Sequence, residues 1–140
     1  MDETGRGAVV LATALRDAHF RIKRLARGWE EHAPVAARRG RDSLGPCWQY
    51  SDSPDQAVYL DGQAIGLAGG RTVVLSLSVD FRSEGTDLVV GVAVEDEDGN
   101  VEELLGTGPE DFVRSADGLA AELARCLDRM EGLDLPDVLR

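Results

Sequence analysis

Apolar side chains at Leu11, Leu15, Ala18, Ile22, Leu25 and Trp29 follow one another at alternating steps of four and three residues. In an α-helix of about 3.6 residues per turn, that alternation lays a single apolar stripe along one side. The spacing predicts a helix over residues 6–31. Phe20 falls off the stripe, beside Arg16, Arg21, Lys23 and Arg24. It is expected on the solvent side, where an aromatic ring among cations is a candidate contact point.

A period of two takes over in the middle of the chain. Val73, Leu75, Leu77, Val79 and Phe81 alternate with Val74, Ser76, Ser78, Asp80 and Arg82. Leu88, Val90, Val92 and Val94 then alternate with Asp87, Val89, Gly91, Ala93 and Glu95. This is the pattern of two strands that each bury one face. A hairpin folded about Glu84–Gly85 sets Phe81 opposite Leu88, Val79 opposite Val90, Leu77 opposite Val92 and Leu75 opposite Val94. The same register puts Arg82 across from Asp87, Ser78 across from Gly91 and Ser76 across from Ala93. A solvated strand face usually carries long charged or β-branched side chains. The small residues Ser76, Ser78, Gly91 and Ala93 instead suit close approach by another element: a helix of this chain, a partner, or whatever occupies a groove.

Weaker signals fill the rest. Ala57–Leu60 reads as a strand closed by an Asp61–Gly62 turn, and Val101–Leu105 as a strand returning after Asp98–Gly99. Residues 32–55 hold Pro34, Gly40, Gly45, Pro46 and Pro54 and read as a connector, with a helical turn near Pro34–Arg39 and a short strand at Trp48–Tyr50. Phe112–Val113 suits a short strand or staple. Ser115 is a plausible N-cap, and Leu119, Leu123, Cys126, Leu127 and Met130 mark one face of a helix over 115–131. The expected fold is therefore α+β in one domain, 1–140: an N-terminal helix, an antiparallel β-meander of about four strands within 57–105, and a C-terminal helix.

Length and composition narrow the class. A chain of 140 residues suits a single domain. No apolar run approaches the roughly 20 residues of a membrane-spanning helix. The opening Met1-Asp2-Glu3 lacks the basic-then-apolar pattern of a signal peptide, so a cytoplasmic address is expected. One lysine against fourteen arginines, with Asn100 as the sole asparagine, points to a GC-rich, actinobacterial-style genome. Charge is split along the chain. Residues 1–41 hold nine basic groups and five acids, a net +4, whereas the remainder carries −15 of the total −11. The acidic body repels nucleic acid, while the basic helix either binds a polyanion or lies against that body.

Motifs of chemistry are few. In Glu95-Asp-Glu-Asp98-Gly99-Asn100, an EF-hand alignment on Gly99 puts Val94 and Leu105 at the end positions, where oxygen ligands belong, which excludes that loop. The glycine-rich Gly62–Gly70 stretch lacks a Lys-Ser/Thr ending and precedes a strand, so it reads as a mobile connector rather than a phosphate loop. His19 and His32, with Cys47 and Cys126, have no metal-ligand spacing. Cys47 sits in a loop near basic groups that favour a reactive thiolate, and Cys126 on a core face. No nucleophile–base signature is present, and no cofactor or metal is expected.

The resulting expectation is a small, acidic, non-enzymatic protein-interaction module of the adaptor, chaperone or immunity type, with a protein partner and a possible homodimer. Its outline is similar to that of secretion chaperones and toxin-neutralising proteins, a likeness of fold alone. The candidate contact residues are Phe20, Arg21, Lys23, Arg24, Ser76, Ser78, Gly91 and Ala93. Two alternatives stand beside it: nucleic-acid binding through the basic helix, and a small-molecule or enzymatic site over the sheet. Membrane association is not expected.

Overall fold

The computed structural model describes residues 2–140. A helix α1 (Glu3–His32) leads into a short 3-10 turn (Val35–Ala37). Six strands follow: β1 (Arg38–Ser43), β2 (Cys47–Tyr50), β3 (Gln56–Leu67), β4 (Thr72–Arg82), β5 (Gly85–Glu95) and β6 (Val101–Thr107). Helix α2 (Ala116–Glu131) and a 3-10 turn at Asp137–Leu139 close the chain. All pairings are antiparallel, in the order β1–β3–β4–β5–β6, with β2 also on β3. The α+β outline of helix, antiparallel sheet and helix is as the hydrophobic pattern predicts, but the strands number six rather than about four. No helix among the described residues is long and apolar enough to cross a membrane.

Both strands outside the expected meander lie in the segment read as a connector: β2 falls on the short strand expected at Trp48–Tyr50, whereas the sequence pattern does not predict β1. β1 pairs with Gln63–Leu67 and β2 with Ala57–Leu60, so together they form one interrupted edge strand along β3. The interruption, Leu44-Gly45-Pro46, lies opposite Asp61–Gly62, and only the Leu44 amide reaches across, to the Gly62 carbonyl at 3.0 Å. An edge strand tolerates glycine and proline because half of its backbone groups need no strand partner. Its sequence, Arg38-Arg-Gly-Arg-Asp-Ser43, shows no apolar alternation because only one neighbour claims it.

β3 also departs from expectation. It runs straight through Asp61–Gly62, where a turn is predicted, and the reversal falls at Ala68–Arg71 instead. There Gly69 and Gly70 take φ of 82° and 72°, a conformation glycine adopts without penalty. The Gly62–Gly70 stretch is therefore mostly strand rather than mobile connector. Gly62 has its own steric reason: a Cβ there would collide with the Leu75 carbonyl oxygen on β4.

The β4–β5 hairpin forms with the expected faces but a different register. Arg82 pairs with Gly85 around a two-residue Ser83–Glu84 loop, so Phe81 meets Thr86, Val79 meets Leu88, Leu77 meets Val90 and Leu75 meets Val92. Every predicted pair is displaced by two residues. A shift of two leaves the inward and outward sets unchanged, because successive side chains alternate faces. Two-residue loops are the commonest hairpin closure. Gly85, at φ 142°, also leaves room for Phe112, which the Thr86–Val113 bridge holds against it. Arg82 consequently faces Gly85, while Asp80 faces Asp87.

Both helices cover the same side of the sheet. α1 lies over β3, α2 over β5, and the two pack on each other. Leu15, Ala18, Ile22, Ala26 and Trp29 of α1 and Leu119, Leu123, Cys126, Leu127 and Met130 of α2 are buried against Val73, Leu75, Leu77, Val79, Leu88, Val90 and Val92. The Asp2 carboxylate caps α1 by accepting the Gly5 amide, and the Ser115 hydroxyl caps α2 by accepting that of Gly118. Arg21 clasps the helices together, its Nε on Glu131 and its NH2 on Asp128, each at 2.6 Å.

Gly62→Ala is expected to destabilise the fold by about 1–3 kcal/mol, as overpacking against a fixed carbonyl does. Gly28→Ala is expected to stabilise it by about 0.5–1 kcal/mol, since a Cβ on that helical residue meets nothing within 4 Å. Urea unfolding of both variants beside wild type checks the opposite signs.

Candidate functional site

Two regions of the sheet carry unusual side chains, one on each face. On the helix-covered face, β3 places Tyr59, Asp61 and Gln63 inward, all three buried. A carboxylate out of water requires hydrogen bonds to be tolerated. Asp61, with its side chain 1% exposed, takes three. Its Oδ2 lies 2.9 Å from Nδ1 of His19 on α1, its Oδ1 accepts the Gly62 amide at 2.8 Å, and the Tyr59 hydroxyl donates at 3.5 Å. Beside it, Arg41 donates to Gln63 and to Glu30 of α1, while Gln63 donates to Ser43. Among the described residues, every buried side-chain nitrogen and oxygen has a partner. This seam locks α1 onto β3.

Trp48 packs edge-on to Tyr59 at 5.2 Å and tilted against Phe81 at 5.6 Å, roofing the seam at its open end. Burial, followed by the nearby Asp61 charge, pushes the Tyr59 phenol up to about 12. His19 thus has the carboxylate partner of a general base. Cys47, however, pairs with Leu60 and lies on the other face of the sheet, away from the imidazole. Cys126 is buried under α2, and burial pushes its thiol up. No group of three or more His, Cys, Asp or Glu side chains among the described residues is arranged to hold a metal. In the acidic turn, Asp96 accepts the Asp98 and Asn100 amides and the Asn100 side chain, each at 2.9 Å, so its oxygens serve the turn itself.

The opposite face carries no helix among the described residues. Ser76, Ser78, Gly91 and Ala93 lie there, with Ser76 opposite Gly91, Ser78 opposite Val89, and Ala93 opposite Val74. β3 adds Val58, Leu60 and Ala64 to this face, and β6 adds Val101. Val89 is 49% and Val101 60% exposed. Of the acidic side chains, Asp80 and Asp87 stand near the β4–β5 loop and Glu95 at the far end, while Glu103, opposite Ala93 on β6, lays its carboxylate over Gly106, the partner of Gly91.

The eight candidate residues therefore fall into two groups on opposite sides of the molecule. Phe20 is 48% exposed on α1, held between the Arg16 guanidinium and the His19 ring. Arg21 is committed to α2, whereas Lys23 and Arg24 have no ion-pair partner among the described residues. Arg24 borders a groove of about 660 Å³ with Leu25, Trp29 and Glu131. Asp61 and Tyr59 lie outside the predicted site residues, because an Asp-Gly pair after a short apolar run reads as a turn. The apolar residues of β3 completing the open face went unrecognised for the same reason. No known protein family matches this chain, and neither a curated protein nor a solved structure is similar to it.

Tyr59 is expected to titrate only at about 12, whereas a tyrosine of the unfolded chain does so at about 10. Between these values the folded chain retains a proton that the unfolded chain has lost, so stability falls as pH rises. Absorbance at the tyrosinate band, with Tyr59→Phe abolishing this late step and flattening the loss, checks this.

Proposed function

We propose that the chain is a non-enzymatic protein-interaction module and that the uncovered face of the sheet is its contact surface. The observation that carries the reading is the placement of both helices on one side of the sheet. It leaves Val58, Leu60, Val74 and Val89, separated by small residues, facing outward. A contiguous apolar patch on a soluble domain marks a surface that meets another molecule. The small side chains between let that molecule approach the backbone closely, and the rigid four-strand platform beneath lowers the ordering cost of binding. The buried seam belongs to the scaffold in this reading, since its partners are spent on one another.

One observation favours a second reading, nucleic-acid binding: Lys23 and Arg24 lie unpaired on the flank of α1. Against it, Arg6, Arg21 and Arg41 are already paired with Asp117, with Asp128 and Glu131, and with Glu30. The long-range field of a chain at −11 also opposes a polyanion.

Ala93→Arg separates the readings. Its stability is expected to stay within about 0.5 kcal/mol of wild type, as at a surface position. Affinity capture from the native organism is expected to yield a protein held by wild type and by the Lys23→Ala/Arg24→Ala variant but lost by Ala93→Arg. Identical capture by all three overturns the proposal. Duplex DNA bound below about 1 µM at about 150 mM salt, and lost on removing Lys23 and Arg24, establishes the second reading instead.

A further inference from the structure

The charge and the dimensions of the uncovered sheet face restrict what covers it. Its two ends are both acidic. At the hairpin end Asp80 stands directly opposite Asp87, a like-charge cross-strand pair. Arg82 and Gln56 donate to Asp80, at 2.8 Å and 3.0 Å, and none of the described side chains donates to Asp87. The Arg82 bond holds the Asp80 carboxyl below its ordinary range. At the other end Glu95 occupies the same face and Asp42 flanks it on β1 opposite Ala64, while on the β6 side Glu103 lays its carboxylate over Gly106. The cations there are Arg82, spent on Asp80, and Arg39, whose guanidinium donates to the Ala36 and Arg38 carbonyls. Between the acidic ends, β3, β4 and β5 present only apolar and small residues to this face.

A second copy of this chain fits such a face poorly. Face-to-face pairing brings two sets of carboxylates together, which costs several kcal/mol when the charges are like. Five strand positions, from the β1/β2 edge to β6, at about 4.8 Å spacing and about 27 Å of length offer an area of about 650 Å². That is below the roughly 800 Å² per partner of a standard stable interface. Like charge and modest area both point to a different occupant.

We infer that the occupant is a basic amphipathic helix of another protein, lying along the strands with its apolar side on Val58, Leu60, Val74 and Val89 and with Lys or Arg near both ends. From Asp87 to Glu95 is eight strand residues, or about 27 Å. A helix rising about 1.5 Å per residue covers that distance in about 18 residues. The small side chains of Ser76, Ser78, Gly91 and Ala93 form the shallow floor on which such a helix seats. The net charge of −11 steers a cationic segment toward the molecule before contact is made. This inference rests on the uncovered face being the contact surface.

The test titrates the full isotope-labelled chain with a synthetic amphipathic peptide of about 18 residues, Leu and Ala on one side and Lys toward both ends. A matched peptide carries Glu in place of Lys. The Lys peptide is expected to bind one to one and to shift the amides of Leu60, Val74, Val89 and Ala93. Its affinity is expected to fall at least about tenfold between about 50 mM and about 300 mM salt, as screening predicts. The Asp87→Lys/Glu95→Lys variant, checked for native dichroism, is expected to reverse the preference between the two peptides. Shifts confined to α1 and α2, equal binding of both peptides, no binding of the Lys peptide, or a preference that survives the double reversal each overturns the inference. A wild type that scatters light as a stable dimer, and as a monomer after Ala93→Arg, also overturns it but leaves the uncovered face as the contact surface. Failure of that broader reading shows separately, as capture unchanged by Ala93→Arg.

Discussion

The buried carboxylate of Asp61 is the constraint on which the arrangement depends. A charge placed inward on the central part of β3 is tolerable only if donors surround it. Those donors come from the Gly62 amide, from Tyr59 two residues back, and from His19 on a helix over forty residues earlier. The His19 contact places α1 over β3, and the Arg41–Glu30 and Arg41–Gln63 bonds extend the same seam along the helix. With α1 on that half of the sheet, α2 covers the neighbouring half above β5, and Arg21 ties the two helices at 2.6 Å to the acids of α2. One face is then fully claimed, and the other is left bare.

The bareness of that second face has an energetic reading. A monomer of this size has apolar surface to spare, and single exposed apolar residues need no explanation. Here they are grouped, with glycine, alanine and serine between them rather than the threonine and charged side chains that protect a solvated sheet. Like charge on the acidic residues of the face opposes the juxtaposition of two such faces and is complementary to a cationic one. In the proposed reading, the same residues would draw a basic helix and disfavour a second copy of the chain. The core lies on one side of the sheet, and the proposed contact surface on the other.

The basic N-terminal segment illustrates how composition alone leaves the use of a charge open. A run of Arg and Lys on a helix has the appearance of a polyanion site. Folding commits Arg21 to Asp128 and Glu131 and Arg41 to Glu30, so part of the +4 segment neutralises part of the −15 body within one molecule.

The chain's own periodicities determined the elements that satisfy a local rule. The stripe from Leu11 to Trp29, the alternation of β4 and β5, and the Ser115 cap with its Leu119–Met130 face are each legible because every residue repeats the same inside–outside choice. Such alternation fixes which face a residue joins but is blind to shifts of two, so the hairpin register waited on the Ser83–Glu84 loop and on the Phe112–Val113 strap against Gly85. β1 carries no apolar alternation, and only its pairing with β3 makes it a strand, whereas β2 falls on the short strand legible at Trp48–Tyr50. Asp61–Gly62 has every local mark of a turn. It is strand because His19 supplies a partner for the carboxylate and β4 crowds the glycine. Which sheet face stays open is likewise outside the reach of sequence pattern, since two apolar helices and one apolar sheet face are compatible with coverage of one side or of both. Long-range contacts between α1 and β3 made that choice, because burying a charge without its partner costs more than any local preference of the chain can repay.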